Sequence, residues 1–240
     1  MKRNIVKNSS ITVIVPAYNE EKYIERAVRD IDNSVKKVFK DYEILLFDDS
    51  SIDMTPQIAD SIARENLKIK VFHNTRNRGV GYIYRLGVSL ASKEYVTILP
   101  ADGGILSSSV KEVLQHAGSS EIITTYISNK QARSIIRRMV SYGFTSFINI
   151  LLGYRLRYYN GMVVYKTKLV RDMKIGTKSI AFQAEILLRL LRNGHSYEEV
   201  PIRIQEKKGT ITSVFRIKNL LGVMKTVLRV FWDLAVLRKY

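Results

Sequence analysis

The chain of 240 residues contains no cysteine. That excludes a disulfide framework and any thiolate metal site, and it fits a cytosolic setting. Its three histidines, His73, His116 and His195, lie far apart and show no metal-ligand spacing. No stretch approaches the ~18 consecutive apolar residues of a membrane-spanning helix. The N-terminus, MKRNIVKNSS, is basic but lacks the apolar centre of a signal peptide. No glycine-rich dinucleotide fingerprint follows the first apolar strand, and neither a G-x-x-x-x-G-K-[ST] loop nor a G-x-S-x-G elbow occurs. Dinucleotide-dependent dehydrogenases, P-loop enzymes and α/β-hydrolases are set aside on those grounds. Acidic residues are also scarce, 22 against 39 Lys and Arg, for a net charge of +17. The shortage falls on the second half, where residues 121–240 carry 22 Lys/Arg and 7 Asp/Glu. Such a basic half points to anionic lipid, phosphorylated substrates or nucleic acid, or to solubility alone.

What is present is a regular alternation. Ile11–Val15 is a β-branched run stopped by Pro16, and Glu43–Phe47 is a second strand ending on Asp48 and Asp49. Ile69–Phe72, Tyr95–Leu99 and Glu121–Tyr126 read as further strands. Between them lie helical patterns. Residues 20–39 place apolar side chains at 24, 27, 28, 31, 35 and 38. Thr55–Pro56 reads as a cap followed by proline at the first helical position, opening a helix to Glu65. Helices are also expected near 79–90 and 107–116. Strand and helix in turn predict an α/β fold, a mostly parallel central sheet with helices on both faces.

Beyond residue 126 the character changes. A long helix is expected over Gln131–Leu152, a short strand over Met162–Tyr165, and a helix over Phe182–Leu191 closed by Asn193–Gly194. Tyr197–Ile204 reads as a strand in which Pro201 suits an edge. Residues 1–210 form the expected main domain. Residues 211–240 form a C-terminal amphipathic helical extension, with a narrow polar stripe of Lys218, Lys225, Arg229 and Asp233 and a wide apolar face including Phe231 and Trp232. Such a face packs on a core, a partner or a membrane interface.

The chemistry sits at the strand ends. Asp48, Asp49 and Asp102 each follow an apolar strand, where the crevice of an open α/β sheet binds ligands. Acids so placed accept hydrogen bonds from a base or ribose, or hold a hard cation against a diphosphate. Asp53, just before a helix, is equally readable as a cap.

These strand-end motifs resemble the inverting family 2 glycosyltransferases of the GT-A fold, and among them the dolichyl-phosphate and polyprenyl-phosphate sugar (mannose or glucose) synthases. The carriers are VPAYNE at 15–20, FDDSSIDMT at 47–55, NRGVG at 77–81 with Gly87, FQAE at 182–185 and EVPI at 199–202. The likeness covers about residues 11–210. It implies that Pro16, Tyr18, Glu20 and Asp48 line the nucleotide-base pocket, with Asp49 near the ribose. It makes Asp102 the metal ligand for Mg²⁺ or Mn²⁺, and places Arg137 and Ser141 near the donor and acceptor phosphates. Gln183 and Glu185 lie toward the sugar, and Lys208 in a loop closing over the phosphates. Four departures stand out: Pro100 replaces the first acid of Asp-x-Asp, Gly104 a glutamine, Ser50 a glycine, and Glu206 an arginine.

The implied reaction moves a hexose from a GDP- or UDP-sugar to a polyprenyl or dolichyl phosphate, with catalysis by Asp102, Arg137 and Glu185. A phosphate acceptor needs no strong base; a hydroxyl acceptor on a glycan or glycolipid needs one, and Asp102 or Glu185 is the candidate. The expected partners are the nucleotide sugar, the lipid phosphate, and an anionic membrane surface or membrane-embedded partner, with the protein peripheral on the cytosolic face. Rival readings are a nucleotidyltransferase, a degenerate nucleotide-sugar-binding scaffold and a nucleic-acid module. The aromatics show no stacking pattern for the last, so no nucleic acid is expected.

Overall fold

The computed structural model describes residue 6, residues 8–175 and residues 182–205. Its centre is a seven-stranded sheet: β1 (Ser10–Ala17), β2 (Asp41–Asp48), β3 (Ile69–His73), β4 (Tyr95–Ile98), β5 (Ile122–Ile127), β6 (Val164–Lys166) and β7 (Tyr197–Ile202). The spatial order is β3-β2-β1-β4-β6-β5-β7. β1, β2, β3 and β4 pair in parallel, as do β5 and β7, whereas β6 runs antiparallel to both β4 and β5. Because β6 is the one reversed strand, β1–β5 and β7 all point the same way, and their carboxyl ends share one edge.

The helices are α1 (Ile24–Val35), α2 (Thr55–Glu65), α3 (Val80–Leu90), α4 (Ser107–Gln115), α5 (Ile135–Leu152), the short α6 (Thr167–Val170) and α7 (Phe182–Arg192). Side chains alternate across each strand, so the sheet feeds two cores. Ile11, Val13 and Val15 with Ile44 and Leu46 pack toward α1, α2 and α4. Ile14, Leu45 and Phe47 pack toward α3, α5 and α7. Strands buried on both faces need continuous apolar runs, which is what β1 and β2 carry.

Several boundaries move for local reasons. The first helix is shorter than its 20–39 pattern. The Glu20 N–H is taken by Thr55 Oγ1 at 2.8 Å, which holds residues 20–23 in a turn, and Val38 and Phe39 are buried beyond the helix end. The pattern from 131 splits into a 3-10 turn at Lys130–Ala132 and α5, because Arg133 is extended. α2 starts at Thr55 itself, with no side-chain cap from Met54. Gly194 adopts φ 79° after α7, the left-handed stop expected at Asn193–Gly194. β7 is an outer strand, which accommodates Pro201. The amphipathic segment 211–240 and Lys208 lie outside the described residues.

Candidate active site

The shared edge is built from hydrogen bonds between strand ends. Asp49 N–H donates to Ala17 O at 2.9 Å, and Ala101 N–H to Pro16 O at 3.1 Å. The end of β1 is thus flanked by Asp48 and Asp49 on one side and by the Asp102 turn on the other. Two strand spacings, roughly 10 Å, separate the two acid positions. Asp48, Asp49 and Asp102 thus lie along one sheet edge in backbone position.

Their side chains are differently employed. Asp48 is buried; its Oδ1 accepts from Ser51 N at 3.0 Å, and its Oδ2 lies 3.1 Å from His73 Nδ1. Asp49 is also buried, and three donors of the following loop hold it: Asn74 Nδ2 at 2.8 Å, Arg78 N at 2.9 Å and Gly79 N at 2.7 Å. Gly79 immediately precedes α3, so the carboxylate sits where the helix dipole favours negative charge. An ionised carboxylate has about four acceptor positions, which leaves one for a ligand. Asp49 is therefore first an anchor for the 74–79 loop. Asp102 is half-buried in a cleft of ≈ 320 Å³ with Tyr23, Arg26, Pro100 and Gln205. Its Oδ1 accepts from Gly104 N at 2.9 Å, and Oδ2 is left for a ligand. A larger cleft of ≈ 460 Å³, around Lys93, Lys166 and Arg171, lies at the opposite ends of the strands.

The base-pocket candidates form one cross-linked wall. Asn19, at φ 54°, donates its N–H to Ser51 Oγ at 2.9 Å and accepts at Oδ1 from Ile52 N at 3.0 Å. Asp53 accepts from Thr55 N at 3.0 Å and Glu21 N at 3.2 Å. Burial raises the Asp53 carboxyl, but hydrogen bonds from the Thr55 side chain and from the Thr55 and Glu21 N–H groups outweigh it and hold it below its ordinary value. Asp53 thus serves the backbone. Pro16 and Glu20 are half-buried, and Tyr18 is exposed on the same wall. Ser50, the replaced glycine, has φ 67°, a left-handed conformation that a side chain makes unfavourable.

Arg137 and Ser141 stand half-buried on α5, which begins just beyond the carboxyl end of β5. Glu185 departs from the open base that a hydroxyl acceptor would need. Its side chain is 0 % exposed and ion-paired with Arg189 at 3.1 Å on the next turn of α7. A carboxylate in the apolar interior requires such a partner, so Glu185 holds Arg189 in place. Of the two candidate bases, Asp102 is the accessible one.

Comparison with known proteins adds the decisive observation. The family model described as Glycosyl transferase family 2 matches residues 12–175, a span holding every strand-end acid just described.

The chain belongs to glycosyl transferase family 2.

Within this family, glycosyltransferase AglD of Haloferax volcanii is 26% identical over 246 residues, covering 94% of this chain and 38% of AglD. Dolichyl-phosphate beta-glucosyltransferase of Saccharomyces cerevisiae is 26% identical over 233 residues, covering 83% of this chain and 68% of the yeast protein. Glycosyltransferase GlyG of Streptococcus pneumoniae is 30% identical over 105 residues, covering 44% of this chain and 34% of GlyG. The chain thus spans little more than a third of the length of GlyG and AglD. Among solved structures, glucosyl-3-phosphoglycerate synthase from Mycobacterium tuberculosis in complex with UDP superposes with a TM-score of 0.70 at 15% identity, over 93% of this chain and 80% of that one. Mannosyltransferase PcManGT from Pyrobaculum calidifontis, in complex with GDP-Man and Mn²⁺, gives 0.66 at 19%, over 91% and 64%. These superpositions establish the GT-A architecture.

Residue-by-residue reading of the sequence misses His73 and Ser51. Their partners lie 25 and 32 residues away, and no local spacing signals either pairing.

Proposed function

We propose that this family 2 transferase moves a hexose from a GDP- or UDP-sugar to its acceptor by a single displacement that inverts the anomeric carbon. The observation that carries the proposal is the family match laid over one sheet edge that gathers Asp48, Asp49 and Asp102. Asp48, Pro16, Tyr18 and Glu20 bind the base, and the remaining acceptor position of Asp49 takes a ribose hydroxyl.

Negative charge grows on the departing diphosphate. Among the described residues no group of three or more acids or histidines could enclose a metal. Asp102 therefore fits a cation whose other ligands are diphosphate and water oxygens, a habit of Mg²⁺. Bound there, Mg²⁺ or Mn²⁺ would supply Lewis-acid neutralisation of the leaving group. Arg137, Ser141 and Lys208 contribute donors and positive charge to the phosphates.

Two acceptor classes are chemically consistent. A polyprenyl phosphate brings its own anionic oxygen, so no base is required; the yeast relative named for dolichyl phosphate supports it. A hydroxyl acceptor has the wider support. Relatives include a GalNAc(5)-diNAcBac-PP-undecaprenol beta-1,3-glucosyltransferase of Campylobacter jejuni, 33% identical over 108 residues covering 45% of this chain and 34% of that protein, and the fold matches a phosphoglycerate glucosylating enzyme. Here Asp102 would be the base only with the cation held by phosphate and water oxygens alone, since its remaining Oδ2 cannot serve both. A lipid-borne acceptor agrees with α5, which exposes Ile135, Met139, Tyr142 and Ile150 along one side beside Arg138. An apolar stripe edged by positive charge fits an anionic bilayer surface. No helix among the described residues is long and apolar enough to cross a membrane.

Radiolabelled UDP-glucose, GDP-mannose and related donors, offered with polyprenyl phosphate or with glycan and glycolipid hydroxyls, test the proposal. Transfer to one class is expected. It should be abolished by a chelator and reduced about 100-fold by Asp102→Asn. Absence of transfer from every donor to both classes refutes it.

A further inference from the structure

His73 ends β3 in direct register with Asp48 at the end of β2, so both side chains project toward α2. There the imidazole meets two carboxylates: Nδ1 lies 3.1 Å from Asp48 Oδ2, and Nε2 lies 3.1 Å from Asp60 Oδ1 on α2. Asp48 is almost fully withdrawn from water, its side chain 4 % exposed, whereas those of His73 and Asp60 are 40 % and 51 % exposed. A buried carboxylate is costly unless donors hold it. Asp48 has two, Ser51 N and His73.

We propose that His73 is a positioning residue of the donor pocket: bridging Asp48 and Asp60, it fixes the Asp48 carboxylate for the nucleotide base and makes donor affinity follow the protonation of its ring. This rests on the reading of Asp48 as a base-binding residue. The physical reason is a count of protons. Imidazolium carries two N–H groups, one for each carboxylate; the neutral ring carries one, and its other nitrogen then faces an anionic oxygen. Above the titration the two acids compete for one donor. The effect reaches the pocket wall, because Asp48 also holds the Ser51 N–H and Ser51 Oγ receives the Asn19 N–H beside Tyr18.

Among the described residues, the charged groups acting on His73 are Asp48 from β2 and Asp60 from α2. Burial lowers the ring's proton affinity, but the bonds to Asp48 and Asp60 and their charges outweigh it and raise the ring above its ordinary value. His116 and His195 each bond a single carboxylate, Glu198 and Glu121, and serve as internal references.

The experiment uses the full chain. UDP and GDP with Mg²⁺ are titrated calorimetrically from pH 5.5 to 9, alongside NMR titration of the three imidazoles. His73→Gln, His73→Leu and Asp60→Asn are the variants. His73→Gln, whose amide donates at every pH, subtracts the titration of the nucleotide's own terminal phosphate. Wild-type affinity is expected to fall several-fold as His73 loses its proton, at a pH above the ordinary imidazole range. The His73→Gln profile should be flat by comparison. His73→Leu should bind roughly tenfold more weakly at pH ~5.5, the loss expected for one hydrogen bond to a charged group, with the gap narrowing as wild-type His73 loses its proton. Asp60→Asn should move the inflection and the His73 resonance together to lower pH. A pH profile unchanged in His73→Gln, or His73→Leu binding as tightly as wild type at the acid end, overturns the inference while leaving the donor pocket standing. Failure of wild type to bind either nucleotide at any pH overturns both.

Discussion

Glu43 shows how a buried acid can stabilise rather than burden a sheet. It lies at the entry of β2, 4 % exposed, and takes donors from three other segments: Thr12 Oγ1 at 2.9 Å, Ser92 N and Oγ at 2.8 Å, and Lys70 Nζ at 3.0 Å. Burial pushes its carboxyl up, but the Ser92, Lys70 and Thr12 bonds together outweigh that and bring it down to about 2. A depressed folded-state value contributes stability above the ordinary carboxylate range, and that stability disappears as pH falls toward about 2. Glu43→Gln should therefore cost roughly 2 kcal/mol at neutral pH by urea denaturation, and the gap to wild type should close on acidification from pH ~4.5. A gap of constant size between pH 7 and 3 would contradict the assignment. Ser50 is the opposite case, a residue at φ 67° where the family pattern has glycine. Ser50→Gly should raise stability by roughly 0.5–1 kcal/mol, the left-handed cost less the added chain entropy.

At the level of elements, two contacts set how α3 meets the sheet. Gly87 lies against Ile14 of β1; a Cβ there would stand 2.6 Å from Ile14 Cδ1 and 2.9 Å from Cγ2. Ile14 is fully buried, so its side chain must shift within the core to make way. Gly87→Ala should lower stability by about 1–3 kcal/mol in thermal melting through overpacking. The second contact is Asp49, which grips the backbone just ahead of α3. Asn in its place would turn an amide toward these N–H donors. Asp49→Asn should speed hydrogen exchange at Arg78 and Gly79 while leaving the β1–β2 ladder protected. Uniform loss of protection would instead mean that Asp49 supports the whole sheet.

The whole molecule carries a net charge of +17, most of it in its second half, and an exposed apolar side on α5. Electrostatic attraction to anionic lipid is screened as the Debye length shrinks from ~10 Å at 0.1 M to ~3 Å at 1 M salt; apolar insertion is not. The protein should co-sediment with anionic vesicles at low salt and be only partly released in ~1 M salt, the fraction held by apolar insertion remaining. Met139→Glu combined with Ile150→Glu, both at exposed positions, should weaken low-salt binding with the melting temperature unchanged. Equal binding by this variant would refute the proposal that α5 faces a membrane.

Much of this architecture was readable before any coordinates. The β-branched runs of β1 and β4, the apolar run of β2, the 3.6-residue apolar spacing of α1 and the Asn193–Gly194 stop are local patterns, and local backbone preference plus burial decides them. The strand-end acids were readable too, because a carboxylate that closes an apolar run falls where the strand ends. What those acids touch was not. His73 reaching Asp48 and Asp60, and Asp49 seized by the 74–79 loop, join residues through side-chain packing and β2–β3 register, which no short window of sequence contains; the Glu185–Arg189 pair is local, but its burial is set by the fold. Periodicity by itself determined the layers of this protein and the edge that carries its acids; only the tertiary structure decided which acids stay open to a ligand, because access depends on neighbours brought together by the fold.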